Sequence, residues 1–171
     1  GQSSNAPLFP ADKLDDILAW DRRSEALLGP GRMLVLRVAS ADPAALRGDL
    51  PKPVRNLPGA TLTARAVLAY LSRKYAVAGS DEELRQRMRT QLVTLRQALR
   101  DSDYLLGTFS YADIAMVVAL QGVRPPEGRQ VPLSRASRSS WTRGDLAEEF
   151  ADLLSWRDRI YHEHAPRRAP G

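Results

Sequence analysis

Apolar positions recur at helical spacing along most of the chain, and the alternation of a half-buried strand is nearly absent. Leu14, Ile17 and Leu18 begin a first buried stripe, with Asp12 placed to cap it. Gly29-Pro30-Gly31 predicts the end of that helix, and Met33 to Val38 reads as a second short helical piece rather than an isolated strand. Residues 40–60 carry Pro43, Pro51, Pro53, Pro58 and Gly59, which predicts a short helical turn and a loop, with Leu46 and Leu50 packing locally. The next helix is expected from Thr61 to Val77, with Ala64, Val67, Leu68, Leu71 and Tyr75 along one face. Ser80 and Glu83 form a capping box ahead of a stripe made by Leu84, Met88, Leu92, Leu95 and Leu99. Arg85, Arg89, Arg96 and Arg100 lie mostly outside that stripe and read as a solvated face.

The segment from Tyr104 to Val123 is the most informative. Ser110 and Asp113 have the spacing of a capping box, and Phe109 and Ile114 that of a hydrophobic staple. The run Ile114 to Leu120 is apolar on every side, which predicts a helix over 111–122 that is enclosed all round. Its first amides then have no water to satisfy them, hence the cap. No histidine is near Ser110 in sequence to act as a base, so Ser110 and Asp113 are expected to cap rather than catalyse, and Tyr111 to pack. Arg124-Pro125-Pro126 ends the helix and opens a polar crossing segment over 124–144. A last helix is expected from about Asp145, with Glu148 completing a D-x-x-E box. Its inner face carries Leu146, Phe150, Leu153, Leu154, Arg157, Ile160 and Tyr161.

A chain of 171 residues with 43% hydrophobic and 26% charged positions supports one ordinary domain. The expected division is a linker or cloning remnant over 1–11, a helical domain over 12–165 and a flexible tail over 166–171. No cysteine is present, which excludes a disulfide scaffold, a thiol nucleophile and cysteine-held metal. No apolar run is long enough to span a bilayer and no signal-peptide pattern precedes residue 12, so a cytoplasmic protein without a membrane partner is the expectation. The net charge is +5, but the arginines are interleaved with acids along the whole length, which disfavours nucleic-acid binding, including through Arg124 to Arg143. His162 and His164 are two apart on a helix, unlike the i, i+4 pair of a helical zinc site, so no metal is expected. Gly29-Pro30-Gly31 follows a helix and lacks the lysine and hydroxyl of a phosphate loop.

The stretch Leu106-Gly107-Thr108-Phe109-Ser110-Tyr111-Ala112-Asp113-Ile114-Ala115 resembles the start of the central helix in the carboxy-terminal domain of the glutathione S-transferase superfamily. Pro7-Leu8-Phe9-Pro10-Ala11-Asp12 is similar to that family's interdomain linker, and looser similarity extends to about residue 165. The resemblance implies an all-α bundle with a buried, N-capped central helix. It also implies a partner thioredoxin-like domain, outside this chain, that holds glutathione as co-substrate and activates its thiol, and a homodimeric parent. This domain would then line the pocket for the electrophile, and the isolated chain would be inactive. The wall is expected on the first helix, where Ser24 and Leu28 continue the inner stripe and Trp20, Arg23 and Leu27 form the neighbouring face. The same face would equally suit packing against the missing domain or a dimer partner. The alternative function is a non-catalytic interaction module of the same fold.

Overall fold

In a computed structural model of the chain, residues 7–41, 60–126, 138 and 141–164 are described, apart from the side chains of Ala39, Ala41, Ala60, Thr61, Thr63, Ala64 and Leu68. The expectations for Leu46, Leu50, most of the crossing segment and the tail lie outside the described residues. Six α-helices follow in order among those residues: α1 Leu14–Ala41, α2 Ala60–Lys74, α3 Asp81–Ala98, α4 Tyr111–Ala119, α5 Gly144–Glu149 and α6 Ala151–His164. A 3-10 turn, Ala11–Lys13, leads into α1, and another, Leu120–Gly122, extends α4. The described residues contain no strand, so the all-α class holds. No helix among them is long and apolar enough to cross a membrane.

Three expectations at the start of the chain are corrected: of the first stripe Ile17 is buried, but Leu14 and Leu18 are exposed. Asp12 does not cap α1; it lies inside the 3-10 turn, whose N-cap is Pro10 and has no side-chain bond. Gly29-Pro30-Gly31 does not stop the helix, because α1 runs through it with Pro30 inside. A proline there costs about 3 kcal/mol through its missing amide and its clash with the preceding turn. Burial on both sides offsets it: Leu27 and Leu34 are core residues, Pro30 and Gly31 are enclosed, and α2, α3 and α4 all pack against α1. Gly31 is there for close approach. A Cβ at this position would sit 3.3 Å from Gly122 Cα and 3.4 Å from Gly122 O. Gly31→Val should therefore cost about 1–3 kcal/mol by overpacking. A Cβ on Gly122 meets nothing nearer than 3.7 Å, so Gly122→Ala should stay within about 0.5 kcal/mol of the parent. Urea unfolding of both variants checks this, and equal losses would contradict the packing described.

Helix α2 ends at Lys74, earlier than the expected Val77, and the described side chains of its expected face are not uniformly inward. Val67 is 50% exposed and Tyr75 is also exposed, while Leu71 is half-buried. Alternation at helical spacing identified the helix but not which of two partly apolar faces meets α1.

Helix α3 follows expectation closely. Ser80 Oγ accepts from Glu83 N at 3.2 Å, and Ser80 N donates to Glu83 Oε2 at 2.7 Å. Leu84, Met88, Leu92 and Leu95 are fully buried. Its arginines are not merely solvated. Arg85, Arg89 and Arg96 meet Asp145, Glu149 and Asp152 at 3.9, 2.9 and 2.6 Å, one rung per turn along α5 and the start of α6. Each exposed pair is worth little alone, but together they fix how the C-terminal helices lie on α3.

The expected single last helix is two helices, broken at the fully buried Phe150. Arg96 accounts for the break. Its guanidinium lies 4.3 Å from the Phe150 ring centroid, and its Nη2 donates to the Glu149 carbonyl at 2.5 Å. It thereby satisfies an acceptor that the interruption leaves without a helical partner. The D-x-x-E box is absent as well: α5 starts at Gly144 with Arg143 as N-cap and no side-chain bond, so Asp145 lies inside the first turn. Arg143 N donates to Val123 O at 2.7 Å, which ties the start of α5 to the end of α4. Leu146, Phe150, Leu153, Leu154, Arg157 and Ile160 face inward as expected, and Trp156, outside that stripe, is buried too, donating from Nε1 to Asp103 O at 2.9 Å. Arg157, 1% exposed, donates to Asp158 Oδ1 from Nε and Nη2 and to the Arg124 carbonyl from Nη1.

Candidate functional site

Helix α4 begins where three parts of the chain converge. Ser110 is its N-cap, extended at φ −146° and ψ 176°, and forms a capping box with Asp113. The fully buried Asp113 carboxylate accepts from Ser110 N at 2.9 Å and Ser110 Oγ at 3.0 Å on one oxygen, and from Leu105 N at 2.9 Å on the other. Burial pushes this carboxyl above the ordinary aspartate range, and the three bonds oppose that rise without cancelling it. The loop before the cap turns through Gly107 at φ 79°, a left-handed conformation that glycine adopts without strain. Lys13 Nζ donates to the Leu106 carbonyl at 2.7 Å, pinning the start of α1 to the same loop.

The leader docks on the other side of the cap. Tyr111 N donates to Leu8 O at 3.0 Å, and the Tyr111 ring stacks on Phe9 with centroids 4.9 Å apart. Tyr111 thus packs, as its place beside the cap suggested.

Helix α4 is enclosed on most of its circumference but not all. Ala112, Met116, Ala119 and Leu120 are fully buried, whereas Val118 is 42% exposed and Ile114 half-buried. This corrects the expectation of burial on every side. The open face of α4 is the floor of a groove of about 350 Å³, with Ile114, Val117 and Val118 below. Leu8 and Phe109 form one part of its wall, and Ile160, Tyr161 and His164 of α6 another. The two staple residues, Phe109 and Ile114, therefore meet at this groove. Its size and apolar lining fall within the range of small-molecule sites.

The polar groups of the groove sit at its edge. The His164 ring lies flat on Phe109, 3.6 Å between centroids and 2° between planes. His164 Nε2 shares a hydrogen bond with the Tyr104 hydroxyl at 3.1 Å. Burial first, and then the Glu163 carboxylate beside it, raise the Tyr104 phenol above its ordinary value. Tyr161 accepts from Gln121 Nε2 at 2.7 Å. His162 is exposed and does not line the groove, and the described residues hold no group of histidines and carboxylates able to bind a metal.

The five residues expected to bind substrate do not gather at this groove, and none of them lines it. Leu27 is fully buried in the core and Ser24 is enclosed, its Oγ donating to the Asp21 carbonyl at 2.7 Å. Leu28 is half-buried and packs near Gly122. Trp20 is half-buried against the core, and the exposed Arg23 lies over its ring at 5.7 Å and reaches Gln91 Oε1 at 3.4 Å. Only Trp20 and Arg23 therefore meet at the surface. Polar residues on an apolar stripe suggested a face entering a cleft; Ser24 instead bonds its own helix, a local alternative that spacing does not reveal. The groove residues carried a readable signal in Ile114 and Val118, i, i+4 apart, and in Tyr161 and His164, i, i+3 apart. What sequence lacks is the uncovered side of a helix that is apolar all round. Comparison with protein-family models, with curated proteins and with solved structures finds no match to this chain.

Proposed function

We propose that the chain is the carboxy-terminal, electrophile-binding side of a glutathione S-transferase-like enzyme, whose thioredoxin-like domain holds glutathione and lowers the pKa of its thiol. The observation that carries this reading is the head of α4: the Leu106-to-Asp113 stretch folds around a buried aspartate while the Pro7-to-Pro10 leader docks on Tyr111. The apolar groove beside that cap, rather than the α1 face, is the place for the co-substrate. Its contribution is to desolvate an apolar or aromatic electrophile and hold it in one orientation, so that attack by a thiolate from the other domain becomes effectively unimolecular. The parent enzyme in this reading is a cytoplasmic homodimer, and this chain alone supplies no thiol activation.

The test is a titration of the isotope-labelled chain with a chlorinated dinitroarene, alongside a conjugation assay with glutathione. Amide shifts should concentrate at Ile114, Val118, Tyr161 and His164, with no turnover above the uncatalysed rate. Conjugation by the isolated chain, or shifts confined to α3, would overturn the assignment. A second reading, the non-catalytic interaction module, draws on Phe9, Leu14 and Leu18, large apolar side chains that are exposed near the start of α1. It expects no shifts in the groove and loss of a protein partner when Leu14 and Leu18 become polar.

A further inference from the structure

We infer that the outer face of α2 is a docking surface for an anionic lipid bilayer, on which the protein lies peripherally without crossing it. Sequence pattern placed Val67 on the apolar face of this helix, and the structure leaves it 50% exposed. Leu62 is 72% exposed and Tyr70 63% exposed, so with Val67 the outer face of α2 presents three large apolar side chains to solvent. The same helix carries exposed Arg65, Arg73 and Lys74 and not one acidic residue. At about 100° per residue, Leu62, Ala66 and Tyr70 form the middle of the exposed arc, with Arg65 on one flank and Val67 and Lys74 on the other. Arg73 falls within the arc at the helix's last turn.

This is the layout of an interfacial helix: apolar side chains directed into the headgroup boundary, with Arg65 and Lys74 on the flanks and Arg73 at the C-terminal end of the arc as long cationic stems whose heads reach lipid phosphates. The Lys74 ammonium lies 5.9 Å from the Tyr70 ring centroid and 5.4 Å from that of Tyr75, which makes the C-terminal end both cationic and aromatic. Three observations choose lipid over other anionic partners. A nucleic acid would make no use of Leu62 or Val67. A second copy related by a two-fold axis would set three cations against the same three. The cavity beside α2, lined by Arg32, Val35, Leu36, Leu71, Tyr75 and Trp141, lies on its α1 side, and the exposed arc of the helix is a convex surface that a fluid bilayer can fit. The absence of a membrane-spanning run bears on crossing and leaves surface binding open. This inference uses none of the α4 groove and stands or falls independently of the proposed enzyme reading.

Co-sedimentation with vesicles tests it, using phosphatidylcholine alone and phosphatidylcholine with about 30 mol % phosphatidylserine, at low and at physiological salt. The parent chain should bind the anionic vesicles and leave the neutral ones. R73Q/K74Q should weaken that binding by roughly twenty- to thirty-fold, at roughly fivefold per cation. L62Q/Y70Q should weaken it at least as much while thermal unfolding stays unchanged. Three results would each overturn the inference. One is no binding to anionic vesicles at low salt. Another is binding that L62Q/Y70Q leaves intact, or that heparin reproduces with the same sensitivity to charge alone. The third is concentration-dependent self-association through α2 without vesicle binding.

Discussion

Asp113→Ala is expected to lower the unfolding free energy by about 3 kcal/mol. The substitution strands Leu105 N, Ser110 N and Ser110 Oγ, and each buried donor left without an acceptor costs about 1–3 kcal/mol. Release of the buried charge, visible in the raised carboxyl pKa, offsets part of that loss. For a domain of this size, the melting temperature should fall by about 6–12 °C. Folding should slow as well if the cap forms with the helix nucleus. Unchanged thermal unfolding would remove Asp113 from its structural role.

The pH dependence of this residue has a definite sign. A carboxyl whose folded pKa lies above its reference value of 3.8 favours the folded state when protonated. Its contribution is complete below 3.8 and is lost as pH rises through the folded value. Asp152, lowered chiefly by its bond from Arg96, and Glu83, lowered by Ser80, act in the opposite sense. Their stabilisation is present above their reference values of 3.8 and 4.5 and disappears as pH falls through the folded ones. The stability of the parent relative to Asp113→Asn should therefore grow as pH drops from about neutral to about 4, even while total stability declines. A gap that narrows on acidification would contradict the stated balance of burial and hydrogen bonding.

Phe150→Ala should cost about 3–5 kcal/mol, the range for removing a fully buried phenylalanine. The loss has two parts. One is the cavity left between α3 and the α5–α6 junction. The other is the seat of Arg96, which rests on the ring while bonding Glu149 O and both Asp152 oxygens. Because the two residues share one arrangement, R96A/F150A should cost less than the sum of the single variants by at least about 0.5 kcal/mol. Chemical denaturation of the full cycle measures this, and strict additivity would mean that Arg96 does not organise the break.

How far the sequence could be read follows from where each signal lives. The caps of α3 and α4 were legible because a capping box is a contact between residues three apart. The α3 stripe was legible because only one of its faces is apolar. The continuity of α1 was not, since Pro30 costs the helix locally and the compensating contact, Gly31 against Gly122, joins positions distant in sequence. The break at Phe150 was hidden for a similar reason, because the Glu149 carbonyl beside it is met by Arg96 on another helix. Trp20, Arg23, Ser24, Leu27 and Leu28 share helical faces, yet periodicity states only that side chains share a face, not whether it meets core, solvent or ligand. For the same reason, the open side of α4 could not be found from a run that is apolar at every position.

Native-state hydrogen exchange along α4 tests most directly whether this capped helix is the enclosed element on which both core and groove depend. The amides of Met116, Val117, Ala119 and Leu120 should exchange only through global unfolding, with the free energy measured by denaturant, and Asp113→Ala should lower their protection by the same amount as global stability. Exchange of those amides through local opening, well below the global value, would contradict it.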